Sequence, residues 1–496
     1  MNRSVLILTF GIAVLWSGCL IAQVIPLPPT PRTTASNHYL TGNPRPQLAT
    51  ILAGAESVPP SQLAPPITTA SPNVFVQNNS PMAWTLNQVI AATLISDPKL
   101  RIGKEDIRQA KAEYITSSLL PNPEFSVEGG ALPVKRITEK NAEAIDAEPP
   151  EWGLQIEFPI DWFLFAKRKA AMNSSKWEIQ QAQAEHADLI RARITETATL
   201  FYDVLEAKAL LVIAKEDVEI LTRLEKIAKD GVAASETLAV EWKRTTLELL
   251  QSRRKLLEAE KTLDVLKAQL RSQFGCTDYD PTFDITGGLD APTHANPMPL
   301  EEAFEMAKQN RPDIRALRLQ VFKSKADVHL ENRNAYPEVS TYAGYTQFPQ
   351  HTGIRDNNYN SWGIGVTVTV PLFDHNQGNR ARARSALAQS NHQLQSGIVD
   401  LRAEIVEADR DFRTAHQQTH TIAEEEVRLT TEVRDIMLEG FRAGGCPLID
   451  VLDAEHSYRE TMRLFVASRA DYWRAMYIYN SVVGINSSND VYSPVH

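Results

Sequence analysis

One stretch decides the fold: residues 376–443 read NQGNRARARSALAQSNHQLQSGIVDLRAEIVEADRDFRTAHQQTHTIAEEEVRLTTEVRDIMLEGFRA, contain no proline, and predict a single uninterrupted helix. At about 1.5 Å per residue this helix is roughly 100 Å long. Its inward positions fall on one heptad frame: Ile398, Leu401, Ile405, Ala408, Phe412, Ala415, Thr419, Ile422, Glu426, Leu429, Val433 and Ile436. A narrow seam of this length needs neighbouring helices rather than a globular core, so it predicts a strut or a tube wall.

The N-terminal region indicates an exported protein. Residues 1–23 combine Arg3 with a short apolar run and predict a signal peptide, since the run is too short for a comfortable membrane span. The run ends in WSGC at residues 16–19, which resembles a bacterial lipobox and makes Cys19 a candidate for lipidation. The alternative is ordinary cleavage near Ala22, with Cys19 removed. Residues 24–83 hold about twelve prolines and almost no charge, which predicts a disordered linker.

Composition excludes several classes of function. A formal net charge of -10 argues against nucleic-acid binding. The chain has three cysteines, no phosphate-binding glycine loop and no pairing of a nucleophile with a base, so we expect neither an enzyme nor a cofactor. No spacing of His, Cys or carboxylates resembles a metal cage, and His375 beside Asp374 is more typical of a loop histidine than of a ligand.

From Trp84 the chain repeats one unit. The dipeptides at residues 97–98 and 123–124 match those at 311–312 and 337–338 with one offset of 214 residues. This predicts a first repeat at residues 84–275, an inter-repeat linker at 276–298, a second repeat at 299–484 and a C-terminal tail at 485–496.

Both repeats have the same order of elements. A helix (residues 86–119 or 300–334) is stopped by Pro121 or Pro337 and is followed by two strands. A very long helix comes next, at residues 165–229 or 376–443. A glycine turn, at Gly231 or at Gly444 and Gly445, then leads into a last helix at residues 235–274 or 447–483. Because the two shorter helices together match the length of the long one, we expect the long helix to pack against that pair.

The strands predict a sheet with two different faces. Residues 152–160 and 362–370 alternate apolar with polar or small residues at a period of two. A sheet on a globular core shows the same pattern, but strands of about 10 residues with terminal aromatics are typical of a transmembrane barrel. We expect one face toward lipid, with Leu154, Ile156, Phe158, Ile364, Val366 and Val368. We expect the other toward a lumen, with Gln155, Glu157, Thr367 and Thr369.

Four strands cannot close a barrel, and an open edge in lipid leaves backbone groups unpaired at a cost of several kcal/mol each. The chain must therefore oligomerise if the strands lie in a membrane. A second hypothesis is a periplasmic coiled-coil adaptor or scaffold with a small soluble sheet and no membrane barrel.

Two motifs carry a family resemblance. VPLFD at residues 370–374 with the following QG, and the run from Gly444 through LIDVLDA at 448–454, resemble the TolC family of outer-membrane efflux proteins. The first repeat keeps weaker forms in FPID at 158–161 and in Gly231 through SETL at 235–238. LPNPE at 120–124 and DHNQG at 374–378 look like the subgroup that exports cobalt, zinc and cadmium.

The resemblance implies a mainly α fold with a small β part, in which a homotrimer joins an α-barrel to an outer-membrane β-barrel. It also implies a periplasmic adaptor and an inner-membrane transporter, proton-driven or ATP-driven, as partners of an outer-membrane efflux or secretion channel. Asp450 and Asp453 match family positions that ring the periplasmic aperture, with Arg442 and Phe441 nearby. Their alternative is a pair of solvated acids favoured by a helix N-terminus.

Overall fold

The structure is a computed structural model that describes residues 83–130, 151–233, 239–276, 278, 280, 282–290, 297–348, 359–443 and 445–485. The predicted signal peptide, Cys19, most of the predicted linker and most of the predicted tail lie outside these residues. Helices dominate the described part, and one small sheet joins the two repeats. The first repeat contains α1 (Leu86–Ser96), α2 (Pro98–Ser118), β1 (Glu124–Gly130), β2 (Glu151–Pro159), α3 (Asp161–Leu164), α4 (Lys167–Ala233) and α5 (Ala239–Ser272). The second contains α6 (Leu300–Asn310), α7 (Pro312–Asn334), β3 (Glu338–Phe348), β4 (Tyr359–Thr369), α8 (Gln377–Gln417), a π-helical segment (Gln418–Ile422), α9 (Ala423–Arg442) and α10 (Leu448–Val483).

The first helix of each repeat is broken, and the prediction of single helices at residues 86–119 and 300–334 was wrong. The breaks lie at Asp97 and Arg311, whose ψ angles of 120° and 127° are extended. Proline disfavours the helical conformation of the residue before it, and Pro98 and Pro312 each begin the next helix.

An ion pair holds each break, with opposite polarity in the two repeats. Asp97 accepts from Arg193 at 2.5 Å, with the two side chains 1% and 6% exposed. At the matching place Arg311 donates to Glu404 at 2.5 Å. Because each pair joins the break to the long helix of its own repeat, the same link is built twice with the charges exchanged.

The two long helices differ. α4 is continuous over 67 residues, as expected, although it ends at Ala233 rather than before Gly231. The second long helix is not uninterrupted, because α8 passes through the π-helical segment into α9. Thr419 at the centre of that segment is buried, and its hydroxyl donates to the Ser468 carbonyl of α10 at 2.9 Å.

The π segment shifts the buried face by one residue. Up to the middle of the segment, the predicted heptad positions from Leu401 to Thr419 are buried. Beyond that point Ala423 is buried, whereas Ile422, Leu429, Val433 and Ile436 are 46% to 65% exposed. A π turn contains one residue more than an α-helical turn, so the residues that face the neighbouring helices move one position along the chain. Ile422, at the end of the π segment, continues into Leu429, Val433 and Ile436 as an exposed apolar stripe on α9.

The helices pack as predicted and also across the repeats. α4 lies against α2 and α5 of its own repeat, and against α7 and α10 of the second. One core cluster surrounds Phe201 and Leu205 of α4 and includes Ile285, which pairs with Trp84. The described part of the predicted inter-repeat linker is therefore packed onto the helices. A second cluster lies between α6, α7, α8 and α10, and a third around Leu221 and Leu452.

The sheet is antiparallel with strand order β1-β2-β3-β4. Its central pair, β2 with β3, comes from different repeats and begins at Pro159 opposite Ser340. β1 and β4 form the two edges, and neither edge pairs with another strand among the described residues. The strands differ from their predicted bounds by one to three residues.

Candidate functional site

One face of the sheet is apolar and open to the surroundings of the protomer. The register aligns Phe125, Ile156, Ala343 and Ile364 in one row across the strands, and Val127, Leu154, Tyr345 and Trp362 in the next. Trp362 and Ile364 are 80% and 88% exposed. The register places all six residues predicted to face lipid on this apolar face: Leu154, Ile156, Phe158, Ile364, Val366 and Val368. No helix or loop among the described residues covers it.

The opposite, polar face carries the predicted lumen residues. Gln155 pairs with Ser126 and Gly344, and Thr367 pairs with Ser340. Glu157 lies between Glu124 and Tyr342, and Thr369 pairs with Glu338. Gly365 lies beneath Tyr342, and a Cβ there would lie 2.4 Å from the tyrosine ring, so a larger residue would make the ring move.

All acidic residues of the four strands lie on the polar face. They are Glu124, Glu128, Glu151, Glu157 and Glu338, and the strands contain no Lys or Arg. Of these, only Glu157 was predicted from the sequence, because the others depend on register. Opposite carboxylates such as Glu124 and Glu157 repel each other unless cations or water screen them. All formally charged strand side chains on this face are acidic.

The sheet is attached to the helices by polar contacts at the strand ends. Lys167, at the start of α4, donates to Asp161 at 2.7 Å, and the Arg168 guanidinium donates to the Ser118 carbonyl. In the second repeat Asn376 adopts a left-handed conformation (φ 61°), and its side-chain amide donates to the Glu331 carbonyl at 3.0 Å. These contacts set the entry of each long helix relative to the sheet.

The DHNQG motif is part of this attachment. The Asp374 carboxylate accepts the Asn376 backbone N–H at 2.9 Å, and the His375 backbone N–H donates to the Gln377 side chain at 3.0 Å. Since Asp374 is used in a turn and His375 is engaged through its backbone, the motif has a structural role at the strand-to-helix junction.

The hairpin tip presents the two candidate gate carboxylates. Asp450 and Asp453 lie three residues apart at the start of α10, and both are exposed. Within the described part of the chain neither carboxylate has a hydrogen-bond or ion-pair partner. Residues at this spacing share one helix face, so the two acids form a single exposed patch at the N-terminal end of the helix.

The other predicted tip residues fall into different environments. Phe441 is half-buried against the cluster of Leu221, Leu448 and Leu452, so in the protomer it is a packing residue. Gly231 lies within α4, and its assignment as the turn was wrong because the helix continues to Ala233. The side chain of Arg442 and all of Gly444 lie outside the described residues.

The second turn is closed by backbone and thiol contacts. The Gly445 N–H donates to the Gly440 carbonyl at 2.8 Å. The Cys446 thiol donates to the Met437 carbonyl at 3.3 Å. Uncharged groups thus close the end of α9.

Above the tip, a buried layer of charges joins α4 to α10. Asp217 of α4 is 3% exposed and accepts from Arg463 at 2.7 Å, with Arg459 at 3.8 Å. Burial raises the pKa of the Asp217 carboxyl, although both arginines act in the opposite direction. Burial also raises the pKa of the Glu455 carboxyl, whose Oε2 atom is buried without a hydrogen-bond partner. The layer is absent from our sequence predictions, because nothing in the periodicity distinguishes it from solvated helix charges.

Two absences among the described residues bear on the class of site. None of the described helices is both long and apolar enough to cross a membrane. No group of three or more His, Cys, Asp or Glu side chains is arranged to hold a metal ion in the part of the chain that the structure covers.

Comparisons with solved structures place the fold. The chain is similar to a membrane protein from Pseudomonas aeruginosa, with a TM-score of 0.68 and 17% identity over 80% of this chain and 93% of that one. It is also similar to the Campylobacter jejuni CmeC outer membrane channel, with a TM-score of 0.66 and 17% identity over 80% and 85% of the two chains. The described fold is thus that of the TolC-like outer-membrane channels.

Comparison with protein sequences gives the family. The chain is 24% identical over 378 residues to the cobalt-zinc-cadmium resistance protein CzcC of Cupriavidus metallidurans, covering 75% of this chain and 83% of that protein. The family model for outer membrane efflux proteins matches residues 89–275 and 303–476, which lie within the two predicted repeats. With its duplicated helical unit and two-faced sheet, the chain belongs to the outer membrane efflux protein family, whose members are channel components rather than enzymes.

Proposed function

We propose that the chain forms a homotrimeric exit duct for divalent metal cations, in which three sheets close one barrel in the outer membrane. The observation that carries this proposal is the two-faced sheet, apolar and exposed on one side and acidic on the other. β1 and β4 are the unpaired edges of this sheet. In lipid each unpaired backbone group costs several kcal/mol, so both edges need a hydrogen-bonding partner. Pairing β4 of one protomer with β1 of the next satisfies both edges.

The apolar face then contacts lipid and the polar face lines the lumen. In the trimer the lumen gains carboxylates from every protomer and no strand cation, which supports preference for positive ions. The likeness to a protein named for resistance to cobalt, zinc and cadmium supports the metal class of the substrate.

The helices form the periplasmic part of the duct in this proposal. Three copies of Asp450 and Asp453 ring the aperture, where they attract cations and where repulsion between protomers assists opening. A periplasmic adaptor and an inner-membrane transporter dock at this end and deliver the substrate. The exposed apolar stripe on α9 supports such partners, since a free apolar heptad face of this length is normally covered in a complex. Arg442 completes the proposed gate.

The proposal extends to the N-terminal residues that the structure does not describe. We propose that Cys19 carries a lipid after removal of the signal peptide, and that the proline-rich segment tethers this anchor to the folded repeats. The periplasmic scaffold hypothesis has less support, because the chain belongs to a family of outer-membrane channels.

A deletion strain tests the proposal. Loss of the gene should increase sensitivity to zinc, cobalt and cadmium, and the intact gene should restore resistance. In fractionated cells the protein should sediment with outer membranes, and after purification in detergent it should give a trimer mass. Increased sensitivity to organic dyes with unchanged metal tolerance would contradict the metal substrate, and a soluble monomer that needs no detergent would contradict the duct.

A further inference from the structure

Three buried polar atoms without partners meet where α8 passes into the π segment. They are His416 Nε2, His420 Nε2 and the hydroxyl oxygen of Tyr472, and none has a hydrogen-bond partner among the described residues. Buried polar atoms are nearly always paired, so a cluster of orphans indicates a missing water or ion. Tyr472 is 0% exposed, so bulk solvent does not supply the missing hydrogen bond to its hydroxyl.

The three rings form one compact group. The imidazole centroids of His416 and His420 are 4.6 Å apart. The Tyr472 ring lies 6.0 Å from His416 and 5.9 Å from His420. An ion that binds two imidazoles holds each nitrogen at about 2.0–2.1 Å. Rings this close reach that geometry by rotation about the broad terminal torsion of histidine.

The π segment places the two histidines beside Tyr472, and a side-chain contact of Thr419 anchors the segment to α10. Thr419, between the two histidines, donates to the Ser468 carbonyl at 2.9 Å. Ser468 and Tyr472 are four residues apart on α10, so they lie on the same face of that helix. The contact that anchors the π segment therefore also brings Tyr472 beside the histidines.

Aromatic rings surround the cluster and, among the described residues, leave the imidazole Nε2 atoms free for an ion. Phe412 and Trp473 flank Tyr472, with ring centroids 5.6 Å and 5.8 Å away. Two acids of α8 lie close by in sequence: Asp409 is paired with Arg413 at 2.9 Å, and Asp411 is exposed. Imidazole nitrogen is a preferred ligand for zinc, cobalt, nickel and copper ions.

We propose that His416 and His420 bind one divalent transition-metal cation of the zinc or cobalt type through their Nε2 atoms, with the Tyr472 hydroxyl beside the ion. Two protein ligands leave the remaining positions to water, which makes binding weak and reversible, as a duct requires. The physiological meaning of the site rests on the proposed metal export, whereas binding by the purified protein can be measured separately.

Titration of the purified detergent-solubilised protein with Co²⁺ and Zn²⁺ tests the site. We expect about one ion per protomer, with a visible Co²⁺ absorption band from nitrogen ligands. His416→Ala and His420→Ala should each weaken binding at least tenfold. The matched controls His392→Ala and His456→Ala remove exposed histidines from α8 and α10 and should leave binding unchanged.

Several results would overturn the proposal. Equal binding by the wild-type protein and both site variants would show that water fills the cluster, and equal loss in the controls would show nonspecific uptake. If an alanine variant does not assemble, His416→Gln and His420→Gln keep the side-chain volume and take its place. Binding without any metal phenotype in the deletion strain would refute metal export and leave the site, whereas metal sensitivity without binding would refute the site and leave export.

Discussion

Neutralising one facing pair of carboxylates in the sheet should measurably change ion selectivity. Glu124 and Glu157 are register partners on the polar face of β1 and β2, so their Cβ atoms lie about 4.5–5.5 Å apart. We consider the double variant Glu124→Gln, Glu157→Gln. Because like charges directly opposite each other are destabilising, removing both should not weaken the sheet.

The size of the effect follows from Coulomb's law. A monovalent cation about 6 Å from one carboxylate is stabilised by about 0.7 kcal/mol in water. At 0.1 M salt the Debye length of about 10 Å reduces this to about 0.4 kcal/mol. Two carboxylates therefore contribute about 0.8 kcal/mol, which corresponds to roughly a fourfold local enrichment of cations.

Reversal potentials in planar bilayers under a KCl gradient measure this change. The double variant should lower cation preference about fourfold. Gln155→Glu, which adds a charge on the same face, should raise it. Glu105→Gln on the exposed surface of α2 is the control for loss of one charge outside the sheet. An unchanged reversal potential in the double variant, or an equal shift in the control, would refute the assignment of the polar face to the lumen.

Three further predictions concern the helices. Arg193→Ala leaves the buried Asp97 carboxylate unpaired and should lower the free energy of unfolding by about 3–5 kcal/mol. Chemical unfolding of the purified protein measures this change. A loss below about 1 kcal/mol would show that the pair contributes no more than an exposed ion pair. The double variant Asp450→Asn, Asp453→Asn should raise the anion conductance of the closed duct in single-channel recordings. Unchanged conductance would support the alternative that both acids are solvated residues at a helix N-terminus. Glu455→Gln should be neutral at acidic pH and stabilising at pH 8, because a carboxyl with a raised folded-state pKa loses its contribution to stability as pH rises through that pKa. Equal destabilisation of this variant at both pH values would show that its ion interactions outweigh its burial.

The two repeats show how a helix break is preserved while its chemistry changes. Asp97 with Arg193 and Arg311 with Glu404 occupy matching places and exchange the sign of each partner. A single reversal would place two like charges beside each other, with both partners buried in the first pair and Arg311 buried in the second, so the two changes depend on each other. Both repeats have an ion pair between the helix break and the long helix, but the acidic and the basic partner are exchanged.

Sequence alone determined the features that depend on local periodicity and on chain stiffness. The strand alternation predicted both faces of the sheet because side chains alternate strictly along a strand, and the register confirms the grouping of Leu154 with Ile364. The helix breaks were also within reach, since Pro98 and Pro312 each force the preceding residue into an extended conformation. Treating those segments as single helices overlooked a local rule rather than a tertiary effect.

Tertiary structure alone decided the features that depend on contacts between distant segments. The heptad of residues 376–443 is unbroken in sequence, yet its buried face shifts by one residue because Thr419 is anchored to the Ser468 carbonyl of another helix. The same contact brings His416 and His420 beside Tyr472. The facing of Glu124 and Glu157 likewise requires the register of two strands. Periodicity predicts which residues of a single helix or strand share a face. These sites instead depend on how two such elements pack against each other, which changes the buried positions or sets the register.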